Sequence, residues 1–143
     1  MPATFGKEER LCSRSLMDRL YADGHRLMAF PFSVQWLIIP SEELQQPTTG
    51  TPCQVMIVAP KRRFRHAVDR NRVHRLTREC WRLRKSDLYS FLQEHNLCIV
   101  LSLVYVHNEI MAYEQLSHKM DKLIVLLQQD IIKAQNEERE SKQ

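Results

Sequence analysis

Five arginines lie within the sixteen residues RHAVDRNRVHRLTREC, positions 65 to 80, and Asn71 stands between two of them. A guanidinium group can bind a phosphate through two parallel hydrogen bonds or stack on a nucleobase, and an ammonium group does neither as well. The amide of Asn71 offers a donor and an acceptor to a sugar hydroxyl or base edge, although it can also bond to the local backbone. These residue types point to binding of a polyanion, with candidate contacts at Arg65, Arg70, Asn71, Arg72, Arg75 and Arg78.

Charge is distributed unevenly along the chain. Residues 61–85 contain nine arginines and two lysines against two acidic residues, a net charge of +9, whereas the rest of the chain carries −5. A solvated helix surface usually carries acidic partners at i, i+4 spacing, and these are nearly absent from the segment. The concentration of charge therefore favours a surface for a polyanion over a merely solvated face.

The pattern of the basic segment predicts a two-faced helix from Ala67 onward. At about 100° per residue, the apolar residues fall within an arc of about 80° and predict the core-facing stripe. That stripe consists of Val73, Leu76, Cys80 and Leu83. The opposite face collects Asn71, Arg75, Arg78, Arg82 and Lys85, and it is extended by Arg70 and His74. Arg72 and Arg84 flank the stripe, where long stems can lie on the core while their charges reach water.

The surroundings of this helix favour RNA over DNA as the polyanion. Lys61, Arg62 and Arg63 come just before the helix, where a predicted strand ends, so the basic surface continues from strand end to helix. A DNA-reading helix commonly has a helical neighbour or dimer symmetry, and here the neighbour is a strand. RNA recognised through its shape and backbone suits a broad arginine face.

The elements around the helix predict an α+β fold, a single-domain α/β sandwich with one open face in the order α-β-β-(β)-α-β-α. Ser13 can cap a short helix that reaches about Tyr21 and stops near Gly24, with Leu16 and Leu20 facing inward. Residues 32–39, 53–59 and 96–106 have the composition of strands, 40–52 that of a loop, and 112–134 the periodicity of a long helix. One domain spans 1–143, with its core at about 5–130 and a polar tail at about 134–143.

Residues for catalysis by the protein itself do not stand out. Asp69 and Glu79 would point about 80° apart, with ~15 Å of rise between them, and so do not form a metal-binding pair. No nucleophile–base motif or phosphate-binding glycine loop is visible. The four cysteines form no C-x-x-C pair, which predicts free thiols and no zinc site. The absence of an apolar signal or membrane span predicts a cytoplasmic protein.

The sequence AVDRNRVHRLTREC resembles the central motif of the bacterial ribonuclease P protein component, in which an Arg-Asn-Arg core is followed by further basic residues. Here the core is Arg70-Asn71-Arg72, and the similarity extends over about residues 5–130. It implies that the basic helix and the preceding turn contact a catalytic RNA. The implied RNA-binding set is Lys61, Arg62, Arg63, Arg65, Arg70, Asn71, Arg72, His74, Arg75, Arg78 and Arg82. The resemblance also implies a left-handed β-α-β crossover, against the usual right-handed default.

The same resemblance implies a second site, a cleft between the first helix and the sheet that holds the single-stranded 5′ leader of precursor tRNA. The matching positions are Met17 and Tyr21 on the helix, and Phe32 and Trp36 on the first long strand, where rings can stack on bases. The family's partners would then be the catalytic RNA and precursor tRNA, with Mg²⁺ bound mainly by the RNA and no obligate protein partner. No catalytic or metal-binding residue is expected in the protein.

Two departures from the family pattern stand beside the motif. Arg65-His66 replaces a common Gly-Asn before Ala-Val, and His74 replaces a usual lysine or arginine, which makes its charge depend on pH. Two other classes of function stay open at this point. One is an RNA-binding module, ribosome-associated or a chaperone of RNA, with no role in cleavage. The other is a nuclease that cuts without RNA.

Overall fold

The computed structural model of the protein describes residues 9–40 and 51–141. Its elements follow in the order α1 (Arg14–Asp23), β1 (His25–Ala29), β2 (Phe32–Ile39), β3 (Cys53–Val58), α2 (Ala67–Glu94), β4 (Cys98–Tyr105) and α3 (Tyr113–Ser141). The α+β class is confirmed, and the additional short strand is β1, which the strand pattern did not locate. The predicted loop at 40–52 falls mostly outside the described residues.

Helix α1 begins and ends as its sequence indicates. The Ser13 hydroxyl accepts a hydrogen bond from the Leu16 amide at 3.4 Å, which satisfies one of the free N–H groups of the first turn. At the other end the Gly24 amide donates to the Leu20 carbonyl at 2.8 Å. A Cβ at position 24 would lie 2.2 Å from that carbonyl oxygen, so the close approach requires glycine.

The four strands form one mixed sheet in the order β1-β2-β4-β3. Strands β1 and β2 form an antiparallel hairpin, β2 pairs antiparallel with β4, and β3 pairs parallel with β4. A parallel pair cannot be joined by a tight turn, so α2 crosses over between β3 and β4. The handedness of this crossover stays a prediction.

Different helices pack on the two faces of the sheet. On one face Phe32, Val34 and Trp36 of β2 pack in the main core with the buried sides of α2 and α3. On the other, Ile39 and Val100 pack with Leu16 and Leu20 of α1 and with Leu11. Because side chains alternate along a strand, Ser33, Gln35 and Leu37 share the face that carries α1. The sheet therefore has a helix-packed side and an α1 side.

The buried stripe of α2 differs from the predicted one. Val73 and Cys80 are buried as expected, but Leu83 is 48% exposed, and Thr77 and Trp81 are fully buried in its place. Leu83 and Trp81 lie about 160° apart around the helix, so both cannot face the core. The helix packs against the sheet and against α3 at once, and the large indole fills that space.

Helix α3 confirms its predicted inner stripe and exceeds its predicted length. Its repeating apolar residues are all fully or nearly fully buried: Leu116, Met120, Leu123, Leu127 and Ile131. The helix continues through Ser141 rather than ending near Ala134. No helix in the described part of the chain is both long enough and apolar enough to cross a membrane.

Candidate RNA interface

The exposed side of the first turns of α2 is a cationic surface, which we call the arginine face. It comprises Asn71, Arg72, His74, Arg75 and Arg78, all exposed except the half-buried His74. Together with Val68, four of them line an open depression of about 680 Å³: Asn71, His74, Arg75 and Arg78. Their positions differ by three or four, so one helix face brings them together. Two guanidinium groups, an amide and an imidazole thus border one recess.

His74 sits where its charge is disfavoured. Burial first, then the nearby positive charges of Arg78 and Arg70, lowers the pKa of the His74 imidazole below its usual value. It also lines a second, smaller depression of about 220 Å³ with Arg10 and Arg78, at the edge of β3. The free protein therefore holds His74 mainly neutral near neutral pH, and a phosphate placed beside it would favour the charged form.

Three of the predicted RNA-binding arginines already have partners within the protein. Arg63 donates to the Asn108 side-chain oxygen at 2.8 Å. Arg70 donates to the backbone carbonyls of Phe64 and Arg65 at 2.8 and 3.1 Å, which fixes the chain just before α2. Structural roles thus occupy part of the cationic set.

Arg82 is the third arginine with an internal partner. Its Nε donates to a Glu79 carboxylate oxygen at 3.0 Å. The hydrogen bond from Arg82 holds the pKa of the Glu79 carboxyl below its usual value. The remaining predicted contacts before the helix, Lys61, Arg62 and Arg65, are exposed.

The C-terminal residues of the predicted basic helix form ion pairs within the protein. Lys85 forms an ion pair with the buried Glu9, and the Tyr89 hydroxyl donates to the same carboxylate at 2.9 Å. Arg84, predicted to flank the stripe, pairs with Asp121 of α3 at 2.7 Å. The arginine face therefore ends at Arg78, and Arg84, Lys85 and Tyr89 tie α2 to α3 and the N-terminal segment.

The predicted leader-binding residues divide between the two sides of the sheet. Met17 is half-buried and Tyr21 is 47% exposed, both on α1. Phe32 and Trp36 are fully buried on the helix-packed side, where the Trp36 indole N–H donates to Asp130 of α3 at 2.7 Å. Fully buried rings cannot stack on a base, so this placement corrects the expectation for these two residues. They are core residues.

Two polar strand residues on the α1 side of the sheet, Gln35 and Ser102, were not among the predicted site residues. Gln35 lies directly opposite Ser102 in the β2–β4 register. The Gln35 amide nitrogen and the Ser102 hydroxyl are buried, and neither has a hydrogen-bond partner among the described residues. We call Met17, Tyr21, Ser33, Gln35 and Ser102 the α1-side surface. The polar residue in an apolar strand, Gln35, was the available signal, because alternation places it opposite to Trp36.

Within residues 9–40 and 51–141, no three His, Cys, Asp or Glu side chains lie close enough together to hold a metal ion. The four cysteines, Cys12, Cys53, Cys80 and Cys98, form no disulfide bond. Burial raises the pKa of the Cys53 and Cys80 thiols. These two thiols stay protonated and poorly nucleophilic.

The fold is α+β, a mixed sheet with a cationic crossover helix. The sequence profile of the Ribonuclease P family matches residues 5–128. The ribonuclease P protein component of Porphyromonas gingivalis is 31% identical over 126 residues, covering 87% of this chain and 88% of that protein. That of Pseudoalteromonas translucida is 32% identical over 119 residues, covering 83% and 74%. The chain belongs to the ribonuclease P protein family.

A solved structure agrees with the fold. The ribonuclease P protein of Staphylococcus aureus superposes with a TM-score of 0.61 at 18% identity, covering 83% of this chain and 94% of that one. Family membership confirms the resemblance carried by Arg70-Asn71-Arg72 and assigns the chain to RNA binding and tRNA processing. An RNA-binding module outside ribonuclease P is not favoured.

Proposed function

We propose that the chain is the subunit that docks through its arginine face on the catalytic RNA of ribonuclease P. The observation that carries this proposal is the recess bordered by Asn71, His74, Arg75 and Arg78. Arg75 and Arg78 are exposed and stand one helical turn apart, a spacing of about 5 Å that suits neighbouring phosphate oxygens.

The contribution of this face is electrostatic. Each arginine that neutralises a phosphate releases condensed counterions, so affinity falls steeply with salt. Crowded phosphates of a folded RNA repel one another, and a fixed cationic surface reduces that repulsion. The protein thereby lowers the Mg²⁺ concentration at which the RNA folds and holds its substrate.

The α1-side surface supplies the contact with the 5′ leader of precursor tRNA. Tyr21 offers an exposed ring for stacking, and Met17 a half-buried apolar contact beside it. The Gln35 amide nitrogen and the Ser102 hydroxyl lie on the same side of the sheet, but both residues are buried, so the proposed contact is made by Tyr21 and Met17. A contact of this kind favours precursor over mature tRNA, since only the precursor carries a leader.

We assign the cutting of the phosphodiester bond to the RNA subunit. No three His, Cys, Asp or Glu side chains cluster among the described residues, and we place Mg²⁺ with the RNA, where it would activate the attacking water. The protein side chains bind and orient: the arginine face holds the RNA subunit, and the α1-side surface holds the leader.

One reconstitution tests this function. The purified chain is mixed with ribonuclease P RNA and precursor tRNA at an Mg²⁺ concentration too low for the RNA alone. We expect release of the 5′ leader only when both protein and RNA are present. No stimulation would indicate a binding module without a role in cleavage, and cutting without the RNA would indicate a protein nuclease.

A further inference from the structure

The turn of the β1–β2 hairpin presents an aromatic ring to solvent. Phe30 is 46% exposed. Its ring meets the imidazole of His107 edge-on, with centroids 5.0 Å apart, and the Lys119 Nζ lies 6.0 Å from the ring centroid. An exposed ring beside a cation is the combination with which proteins bind unpaired bases.

The ring is held on a rigid support. The loop after β4 is tied down by Tyr105, whose hydroxyl donates to the Glu109 carbonyl at 2.7 Å and accepts from the Met111 amide at 3.0 Å. This loop carries His107. Lys119 projects from α3, which packs against β1. Phe30 therefore sits between two fixed elements, and little order has to be gained when a base stacks on it.

More positive charge lies at the same end of the sheet. The turn after β3 carries Lys61 and Arg62, both exposed, and Arg63 joins this turn to the β4–α3 loop through the 2.8 Å hydrogen bond to Asn108. Only β4 separates β3 from β2 in the sheet, so their ends are about 10 Å apart. That distance is one that a short stretch of RNA backbone can cross.

We propose that Phe30, His107 and Lys119 form a further RNA contact, in which one unpaired base stacks on Phe30 and its phosphate lies near Lys119. The inference rests on the proposed RNA-binding function and adds a site to it. An apolar protein partner fits less well, because the cations Lys119, Lys61 and Arg62 border this end of the sheet. Against them the β4–α3 loop carries a single carboxylate, Glu109.

This contact is separate from the two surfaces described above. Lys119 belongs to α3, so the ring stands toward the helix-packed side of the sheet. Met17 and Tyr21 lie on the α1 side, and the arginine face lies on α2. An RNA that reaches Phe30 as well as the arginine face would run around the end of the sheet past Lys61 and Arg62.

A tryptophan reporter at the hairpin tests the contact locally. Trp36 and Trp81 are both fully buried, so their emission changes little when RNA binds the surface. In a Phe30→Trp protein the new emission should be quenched by an eight-nucleotide adenosine RNA. In the control Val125→Trp, at a site on α3 that is 52% exposed, it should stay constant. Absent quenching at the hairpin, or equal quenching at both sites, would overturn the proposal.

Affinity measurements give a second, independent readout. Phe30→Ala should weaken binding of the same RNA about fivefold, near the low end of what a stacked base loses on alanine substitution. Phe30→Tyr should restore it. Lys119→Ala should lower the slope of log affinity against log salt concentration by about one, as expected for the loss of one phosphate contact. Unchanged affinity in Phe30→Ala overturns the hairpin contact alone, because the unsubstituted chain is assayed in parallel for stimulation of ribonuclease P RNA.

Discussion

The arginine face of α2 and the α1-side surface of the sheet differ in charge and in burial. Three of the five side chains of the first are arginines on one helix, with Arg75 and Arg78 exposed. The second is nearly uncharged and belongs to a packed sheet, with Gln35 and Ser102 buried. In the proposed function, long-range attraction from the first would bring RNA to the protein, whereas contacts at the second would act only at short range and distinguish one RNA from another.

The largest expected effect is a difference in stability between substitutions on the two sides of strand β2. Trp36→Ala should lower the free energy of unfolding by about 3–5 kcal/mol, since it empties a fully buried site and leaves Asp130 without its indole donor. Denaturant unfolding followed by circular dichroism measures it. A neighbouring control is Gln35→Leu, which removes a buried amide nitrogen without a described partner and should leave stability unchanged or slightly higher. A small loss in Trp36→Ala would contradict the assignment of this side to the core.

Trp36 and Gln35 also show how much of strand β2 can be predicted from the sequence. Strand β2 was located to the residue, as was the start of α1 at Ser13. In a strand, however, a shift of one residue moves every side chain to the other face, and the family resemblance implied that Trp36 faces the cleft beside α1, whereas it faces the core. Which side α1 covers is set by long-range packing that local sequence does not encode.

For helix α2, an error in the predicted core stripe did not change which arginines are exposed. The core stripe of α2 was misjudged at Leu83, since Trp81 faces the core instead. Arg75 and Arg78 nevertheless remained exposed, because charged side chains avoid burial whatever the exact rotation of the helix. What the pattern could not show was that Arg70, Arg82 and Lys85 have partners in the protein. Those partners come from folding of the chain around the helix.

The next effect tests the charged surface. Replacing Arg75 and Arg78 together by alanine should weaken affinity for ribonuclease P RNA about ten- to hundredfold and lower the salt slope by about two. Filter binding over a range of salt concentrations measures both quantities. The control Arg84→Ala removes an arginine paired with Asp121 and should leave the slope unchanged. Equal salt slopes in the double variant and the unsubstituted protein would show that the arginine face does not bind RNA phosphates.

A pH effect is expected from His74. Burial and two arginines lower its pKa in the free protein, so folding favours the neutral ring. This contribution to stability is present above the usual histidine pKa of about 6.5 and is lost as the pH falls through the lowered value. RNA phosphate would act in the opposite direction, so RNA affinity should rise severalfold between about pH 8 and about pH 6.

The matched variant for this effect is His74→Lys, which carries a permanent charge in the same recess. Its RNA affinity should depend less on pH than that of the unsubstituted protein, measured at constant ionic strength. Arg10, Arg70 and Arg78 are the charged groups around the ring. Identical pH profiles for the two proteins would show that His74 does not sense the phosphate.

The smallest effect concerns Arg82. Glu79 holds this guanidinium through a 3.0 Å hydrogen bond, so the arginine is less available to RNA. Glu79→Gln should release it and tighten RNA binding by up to about threefold, as expected for an exposed ion pair. Calorimetric titration with ribonuclease P RNA measures the change. Weaker binding would mean that the pair itself positions Arg82 for RNA.

The division of labour between the two surfaces is tested most directly by one ratio. In the reconstituted enzyme, affinity for precursor tRNA is divided by affinity for mature tRNA, at saturating protein. Tyr21→Ala should lower this ratio by about fivefold, the scale of one lost base stack, while the Arg75→Ala/Arg78→Ala protein should keep it. A ratio that falls in the arginine variant and holds in Tyr21→Ala would contradict the assignment of leader contact to the α1-side surface.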